Sequence, residues 1–238
     1  MKILHLYDDL LNLYGEYANV KALARCLEKE GAAVEVVRAS LYDAVDFAGL
    51  DFIYMGSGTE RKQLLALEDL QKRAPALRKA WENGTVILAT GNAFELFGKS
   101  LTSPDGKAHP GLGWFAFTTK VEDKRFLADQ ICTFGNGEKA VGFINKSSEI
   151  FGVKSPLFTV DYGIGNHEGD KEEGILEKNF FGTHLTGPCL VKNPFLMSFF
   201  VKMLCEKAGI SFKPLDLPYE TKAYQVTLNA LTERFSGK

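Results

Sequence analysis

The first pattern that could do chemistry lies at residues 85–98. An apolar, β-branched run, residues 85–90, meets the pair Gly91-Asn92 and continues at once in a helix-like pattern. In α/β enzymes such a strand, turn and helix can hold a nucleophile above the sheet, with helix N-terminal N–H groups ready to receive negative charge. Here the tip of the turn is Gly91, which has no side chain to react. The stretch therefore predicts either a different kind of site or a catalytic turn that has lost its chemistry.

A second turn rich in glycine, residues 56–60, follows the predicted strand that ends at Met55. In a doubly wound sheet, this loop and the turn at residue 91 lie together at the carboxyl ends of the strands, where ligands bind. By itself such a loop is more often a plain connection between a strand and a helix. Two such turns on adjacent strands favour a pocket whose N–H groups bind an anion or an oxyanion. The residues expected to form it are Gly56, Ser57, Gly58 and Asn92.

One histidine, His184, is a candidate general base. It lies near the end of a predicted strand, residues 179–185, and two positions before Thr186, so the two side chains are predicted to share a face. A lone histidine on a strand is nevertheless more often structural than catalytic. The hydroxyl groups expected near this site belong to Ser57, Thr59 and Thr90.

The sequence contains no convincing cysteine nucleophile or metal site. Its four cysteines are scattered and form no Cys-x-x-Cys pair, so they are expected to be reduced thiols: Cys26, Cys132, Cys189 and Cys205. Residues 166–170 form a polar cluster containing Asn166, His167, Glu168 and Asp170, but their spacing matches no standard metal site. We therefore expect neither a metal nor another cofactor.

The elements that must position these residues alternate between strands and helices. Hydrophobic periodicity predicts four strands and two helices, the second helix being broken or kinked near Pro75. The strands are residues 2–7, 33–37, 51–55 and 85–90, and the helices are residues 12–30 and 60–81. This alternation predicts an α/β fold, a doubly wound and mostly parallel sheet flanked by helices.

The pattern changes after Gly98. Short strands are predicted at residues 131–134, 140–144 and 157–160, without long helices between them. They favour a mixed or antiparallel extension of the same sheet. Two further helices are predicted, at residues 194–208 and 220–235. Because no stretch has the composition of a linker, the sequence predicts a single domain over residues 1–238.

Composition disfavours several classes of protein. Charged residues make up 24% of the chain and the net charge is -2, so no overall field favours nucleic acid or an anionic membrane. No apolar run approaches the roughly 18 residues of a spanning helix, and no signal-peptide pattern is present. These observations lead us to expect a soluble, cytoplasmic protein.

Three stretches resemble a known family. Residues 11–19, LNLYGEYAN, are similar to the opening LNLYGDxGN of the GatD-type, CobB/CobQ-like class I glutamine amidotransferases. Residues 110–113, PGLG, are similar to a central segment of that family. Residues 165–194 contain, in the family's order, its closing GN, GT, GP and KNP. The resemblance spans nearly the whole chain and implies a class I glutamine amidotransferase-like fold.

The same resemblance implies that the reactive groups are replaced. In the family, a cysteine at the turn attacks the carboxamide of glutamine, and a histidine near the last strand activates it. The cysteine position falls on Gly91 and the histidine position on Thr186, neither of which can take over these roles. A family glutamine is replaced by Glu95, and the segment similar to GFENH reads GFINK at residues 142–146.

The resemblance therefore leads us to expect a homologue that has lost cysteine-dependent glutaminase activity. Family members form a pair with a Mur-ligase-like protein that amidates the glutamate carboxyl of the cell-wall precursor lipid II. We expect this chain to be a binding or partner subunit of such a protein, and the pocket between its two turns to bind glutamine or another small carboxylate or amide. Two alternatives stay open: an active glutamine amidotransferase that supplies ammonia through a displaced nucleophile, with His184 as a displaced base, or a small-molecule-binding sensor.

Overall fold

The computed structural model describes residues 1–237, which form two six-stranded sheets. The strands of the first sheet are β1 (Lys2–Leu6), β2 (Glu35–Ala39), β3 (Phe52–Met55), β4 (Val86–Thr90), β11 (Ile175–Glu177) and β12 (Phe180–Thr183). In space they follow the order β11-β12-β4-β3-β1-β2. Neighbouring strands run parallel except β11, which is antiparallel to β12.

Helices cover both faces of this sheet. They are α1 (Tyr17–Lys29), α2 (Glu60–Glu82), α3 (Cys189–Lys192) and α4 (Pro194–Lys207), and a 3₁₀-helix spans Gly91–Phe97. The last helix, α5 (Pro218–Phe235), packs against the second sheet. One hydrophobic cluster joins the sheet to α1 and α4, and a second joins its other face to α2. Every residue of β3 and β4 is buried, as expected for parallel strands covered on both sides. The predicted α/β fold class is confirmed.

The remaining strands form the second sheet. They are β5 (Ser100–Thr102), β6 (Ala108–Pro110), β7 (Thr118–Phe134), β8 (Lys139–Phe151), β9 (Phe158–Tyr162) and β10 (Glu172–Glu173). β7 and β8 form a long antiparallel hairpin, and β7 also pairs with β9 and, in parallel, with β5. The mixed strand directions in this part of the chain are as predicted. The prediction that these strands extend the first sheet is wrong, because they form a separate sheet. Because β7 finds partners for both edges within its own sheet, it does not extend the first one.

Two predicted helix boundaries need correction. α1 begins at Tyr17 rather than near Asn12, because Gly15 has a φ of +70° that a right-handed helix cannot accommodate. α2 continues through Pro75 without the predicted break. Pro75 and Gln71, whose carbonyl loses its usual donor, are both exposed, so solvent can compensate for the missing hydrogen bond.

No helix within residues 1–237 has both the length and the apolar character needed to cross a bilayer. The single domain over residues 1–238 stays a prediction.

Candidate functional site

The turn after β4 has the backbone shape that was predicted for it. Gly91 follows Thr90 directly and has a φ of +58°, the left-handed region that is unfavourable for residues with a Cβ. This sharp reversal is typical of a nucleophile elbow. The helix that follows is a 3₁₀-helix of seven residues rather than the expected α-helix. It is too short to provide the helix N-terminal anion site suggested by the sequence.

The space beside Gly91 is already filled. A Cβ built on Gly91 would lie 2.7 Å from the Cβ of Ser57 and closer still to its hydroxyl oxygen. Ser57 follows β3, the strand next to β4, so the two turns meet as predicted. The Ser57 side chain therefore occupies the volume in which a side chain at position 91 would begin.

A buried carboxylate, that of Glu16, completes this centre. Its Oε2 accepts a hydrogen bond from the N–H of Ser57, and its Oε1 accepts one from the hydroxyl of Thr90 at 3.2 Å. The Ser57 hydroxyl is 3.4 Å from the same Oε1. Burial raises the pKa of Glu16 to about 7, while these hydrogen bonds act in the opposite direction. Sequence reasoning did not single out Glu16, although it lies in the family-like segment 11–19.

The predicted binding loop is also occupied from within the chain. The N–H of Gly58 donates to Asn92 Oδ1 at 3.0 Å, and Asn92 Nδ2 donates back to the Gly58 carbonyl at 2.9 Å. A Cβ on Gly56 would lie 2.6 Å from Glu16 Oε2, so this glycine permits the close approach of the carboxylate. The N–H groups of Ser57 and Gly58, which were expected to receive a ligand, thus bind Glu16 and Asn92. Ligand binding by these four residues stays a prediction.

Only a small cavity lies at this centre. It has a volume of about 50 Å³, and its lining includes Ser57, Gly58, Asn92 and Glu95. Known small-molecule sites commonly measure about 300–1,000 Å³. In size, this cavity is therefore closer to a site for one or two waters than to a site for an amino acid. At its rim, Glu60 Oε1 accepts hydrogen bonds from Arg125 at 2.7 Å and from Ser147 at 2.8 Å. These contacts join the start of α2 to the β7–β8 hairpin.

His184 belongs to a second buried cluster. Its Nε2 lies 2.9 Å from Glu95 Oε1, and its backbone N–H donates to Glu173 Oε1 at 2.6 Å. Glu95 also accepts from Gln63 at 2.8 Å and from the Ser148 hydroxyl at 2.5 Å. Glu95, which replaces a glutamine of the family, therefore places a carboxylate among the side chains of Gln63, Ser148 and His184, all of which can donate to it. His184 is 1% exposed, which makes it a buried structural partner of Glu95 in this structure.

The strand predicted over residues 179–185, which would place His184 and Thr186 on one face, does not extend to these two residues. β12 ends at Thr183, so the alternation of a strand does not apply to the residues that follow. Thr186 forms a β-bridge to Phe143 of β8. Its backbone N–H and its hydroxyl both donate to the carbonyl oxygen of Phe143, and both donor–acceptor distances are 3.0 Å. The two side chains therefore have different partners.

A buried lysine, Lys146, is a further residue that sequence reasoning did not assign a role. Its ammonium group donates to the carbonyl oxygens of Gly165 and Asn166, both at 2.8 Å. Burial lowers the pKa of Lys146 to about 8, and the charges of Glu173 and Glu95 oppose that change. Lys146 thus fastens β8 to the glycine-rich loop that precedes β10.

The remaining candidate groups do not form a catalytic or metal centre. All four cysteines are buried, and burial raises the pKa of the Cys189 thiol above its ordinary range. In the polar cluster at residues 166–170, His167 stacks on Phe151 with ring centres 4.9 Å apart. Among residues 1–237, no group of three or more His, Cys, Asp and Glu side chains is arranged to hold a metal ion.

Comparisons with known proteins identify relatives. The family model of the CobB/CobQ-like glutamine amidotransferase domain matches residues 2–194. The chain is 33% identical to the Staphylococcus aureus (strain N315) protein named lipid II isoglutaminyl synthase (glutamine-hydrolyzing) subunit GatD, over 96% of this chain and 95% of that protein. It is 34% identical to the GatD subunit of Streptococcus pneumoniae (strain ATCC BAA-255 / R6), over 81% of this chain and 76% of that protein.

A solved structure supports the same fold. The chain is similar to the glutaminase domain of Trypanosoma brucei CTPS with bound acivicin, with a TM-score of 0.58 and 9% identity. The match covers 90% of this chain and 96% of that one. At this identity the similarity bears on the fold alone. It confirms the predicted class I glutamine amidotransferase-like architecture.

Proposed function

Since the chain belongs to the CobB/CobQ-like glutamine amidotransferase family, we propose that it is a GatD-like subunit without cysteine-dependent glutaminase activity. The two similar GatD proteins are named as subunits of a lipid II isoglutaminyl synthase. By this proposal, the chain binds a Mur-ligase-like protein and acts as its partner subunit in amidation of the cell-wall precursor lipid II.

The observation that carries the loss of activity is the contact between residues 91 and 57. Gly91 offers no nucleophile, and the Ser57 side chain fills the volume that a cysteine would need. The family's histidine position is Thr186, whose hydroxyl donates to a backbone carbonyl. A threonine cannot accept and return a proton near pH 7 as an imidazole does. Position 91 therefore has no side chain to react, and the hydroxyl at position 186 already has a structural hydrogen bond.

The size of the cavity supports the same conclusion. Glutamine must place its carboxamide beside the nucleophile and keep the rest of its side chain and backbone in the site. A cavity of about 50 Å³ does not offer that space. The N–H of Ser57, which could stabilise an oxyanion, is bound to Glu16. The arrangement therefore fits a role in positioning a partner protein better than it fits a role in processing glutamine.

An assay of ammonia release tests the loss of activity. The purified chain is incubated with glutamine, and ammonia is measured against a blank without protein. The similar Staphylococcus aureus protein, assayed together with its synthase partner, serves as the positive control because its name describes a glutamine-hydrolyzing synthase. We expect the chain to match the blank both alone and in the presence of any ligase that co-purifies with it. Ammonia above the blank would contradict the proposal.

A pull-down from the native host tests the partner. The tagged full chain is expected to retain an ATP-dependent ligase of the Mur type, identified by mass spectrometry. A tagged unrelated protein of similar charge and size provides the control. If no such ligase is enriched over this control, the partner role is wrong and a small-molecule-binding sensor becomes the better explanation.

One observation favours a second candidate, an active enzyme with a displaced nucleophile. The Ser57 hydroxyl lies beside the missing cysteine position and 3.4 Å from Glu16 Oε1. With a pKa of about 7, Glu16 could accept the hydroxyl proton while Ser57 Oγ attacks the carboxamide carbon. The same carboxyl would return that proton to the nitrogen as the C–N bond breaks and ammonia leaves, and water would then hydrolyse the glutamyl ester on Ser57 to glutamate. Ammonia release that disappears in Ser57→Ala but persists in Ser147→Ala would establish this mechanism and exclude the leading proposal.

A further inference from the structure

A larger pocket lies at the opposite end of the first sheet. We call it the tryptophan pocket, and it has a volume of about 300 Å³. It is formed by the end of α2, the segment before β7, the loop after β8 and the β11–β12 turn. Gly91 lies at the carboxyl end of β4, whereas this pocket lies at the amino end, about 17 Å away for a strand of five residues. It is therefore separate from the amidotransferase-like centre.

Aromatic rings form one side of the pocket. Trp81 and Trp114 stack with ring centres 5.4 Å apart, and Phe115 meets Trp81 edge to face at 5.9 Å. Trp81 is 4% exposed, and its indole Nε1 has no hydrogen-bond partner within residues 1–237. Trp114 is only half-buried, whereas Trp81 beneath it is not accessible. The Trp114 ring can stack on a flat group.

Positive charge surrounds these rings. The lining contains three cationic side chains, those of Arg78, Lys154 and Lys178, and one carboxylate, that of Glu177. The Arg78 guanidinium lies 5.1 Å from the centre of the Trp81 ring and 5.3 Å from that of Trp114. Arg78 also pairs with Glu82 at 2.8 Å, but neither lysine has a salt-bridge partner in the part of the chain that the structure describes. The two lysines can therefore bind an anion without breaking an existing pair.

The position of Lys178 is fixed by the fold. It is the first residue of the two-residue turn between β11 and β12 and has a φ of +54°. Such turns favour Asn or Gly at this position, and a lysine there is conformationally unfavourable. The next side chain, Asn179, donates to the carbonyl oxygens of Trp81 at 2.9 Å and of Thr85 at 2.5 Å. The turn therefore holds Lys178 beside Trp81, 5.5 Å from its ring centre.

We propose that the tryptophan pocket binds a small aromatic anion. Its phosphate or carboxylate group is held by Lys178 and Lys154, and its ring lies against Trp114. A cation at the mouth of an aromatic-lined pocket suits a ligand with an anionic group next to a flat ring. Binding in the tryptophan pocket does not depend on whether the amidotransferase-like centre at Gly91 is active.

The two tryptophans make the test direct, because they are the only ones in the chain and both line this pocket. Intrinsic fluorescence of the full protein is followed during titration with phenyl phosphate. Inorganic phosphate and benzyl alcohol are titrated separately, to test the anion and the ring alone. We expect a saturable change with phenyl phosphate in the millimolar range, and clearly weaker binding of the other two.

Variants locate the binding site. Lys178→Gln is expected to weaken the binding of phenyl phosphate about tenfold, since it removes a charge-assisted contact. Lys79→Gln is the matched control on α2, because Lys79 does not line the pocket, and it should leave binding unchanged. Lys154→Gln provides a second variant, and circular dichroism verifies that each variant is folded.

Three results would overturn the proposal. The first is the absence of a saturable change with phenyl phosphate. The second is equal affinity in Lys178→Gln, Lys154→Gln and the unaltered protein. The third is equal affinity for phenyl phosphate and either of the single-feature probes, because the pocket would then not recognise an anion together with a ring.

Discussion

The Ser57 side chain stands where a side chain at position 91 would begin, since a Cβ on Gly91 would lie 2.7 Å from the Cβ of Ser57. The backbone at Gly91 keeps the left-handed turn of a nucleophile elbow, with a φ of +58°. The elbow is thus preserved in shape, while a neighbouring strand supplies the group that fills it. A cysteine cannot be restored there by a single substitution without displacing Ser57.

The first prediction concerns Gly91→Cys. We expect this variant to lose roughly 2–4 kcal/mol of unfolding free energy, from overpacking against Ser57 and from the left-handed backbone. Gly49→Cys is the control, because Gly49 has a φ of +69° but no atom within 4 Å of an added Cβ. Urea denaturation under reducing conditions measures both.

The loss of unfolding free energy in Gly91→Cys beyond that in Gly49→Cys measures the overpacking against Ser57. Adding Ser57→Gly to Gly91→Cys is expected to recover this excess. Equal destabilisation by the two single cysteine variants would show that Ser57 does not obstruct position 91. Covalent labelling by a glutamine-mimicking diazo ketone can then be compared in the double variant with and without Thr186→His.

The second prediction concerns the carboxylate of Glu95. It accepts from Gln63 and Ser148 and lies 2.9 Å from His184 Nε2, all in a buried environment. Glu95→Ala leaves these groups without their acceptor, so we expect a loss of roughly 3–5 kcal/mol in unfolding free energy. Ser148→Ala removes only one donor and should cost about 1 kcal/mol. Urea denaturation that gives similar, small values for both variants would contradict a central role for Glu95.

Much of the fold could be predicted from local patterns. The buried run at residues 85–90 gave β4, and the amphipathic periodicity after Glu60 gave α2. The length of β7 could not be predicted in this way. Its first half, up to Arg125, carries charged side chains on both faces because that part of the hairpin is largely exposed, so hydrophobic alternation is absent there.

The candidate site was predicted only in part. Gly91 and Ser57 were placed together correctly, because adjacent parallel strands bring their following turns to one edge. Glu16 was missed because its burial depends on Ser57 and Thr90, which lie 41 and 74 positions away in the chain. His184 was misplaced because β12 ends at Thr183, level with the end of β4 and two residues before the predicted end of the strand. Periodicity cannot fix such boundaries.

The third prediction concerns the cysteines. All four are buried, and burial raises the pKa of the Cys189 thiol. Since the thiolate is the reactive form, native thiols should react with a disulfide reagent only as fast as the protein opens. We expect slow reaction in buffer and rapid reaction of all four in urea. A single thiol that reacts rapidly in the native protein would reveal a nucleophile that burial does not suggest.

The fourth prediction follows from the raised pKa of Glu16, which burial shifts from an ordinary 4.5 to about 7. Between these values the unfolded chain has released this proton and the folded protein still holds it. The free energy of unfolding should therefore fall as the pH rises, by about 3 kcal/mol in total, and level off above about pH 7. Because glutamine imitates the protonated carboxyl, Glu16→Gln should lack this component, whereas Glu28→Gln, at an exposed site, should keep it. Urea denaturation at roughly pH 5 to 8, which covers most of this range, measures the difference between the variants. Identical pH profiles for Glu16→Gln and Glu28→Gln would refute the assignment.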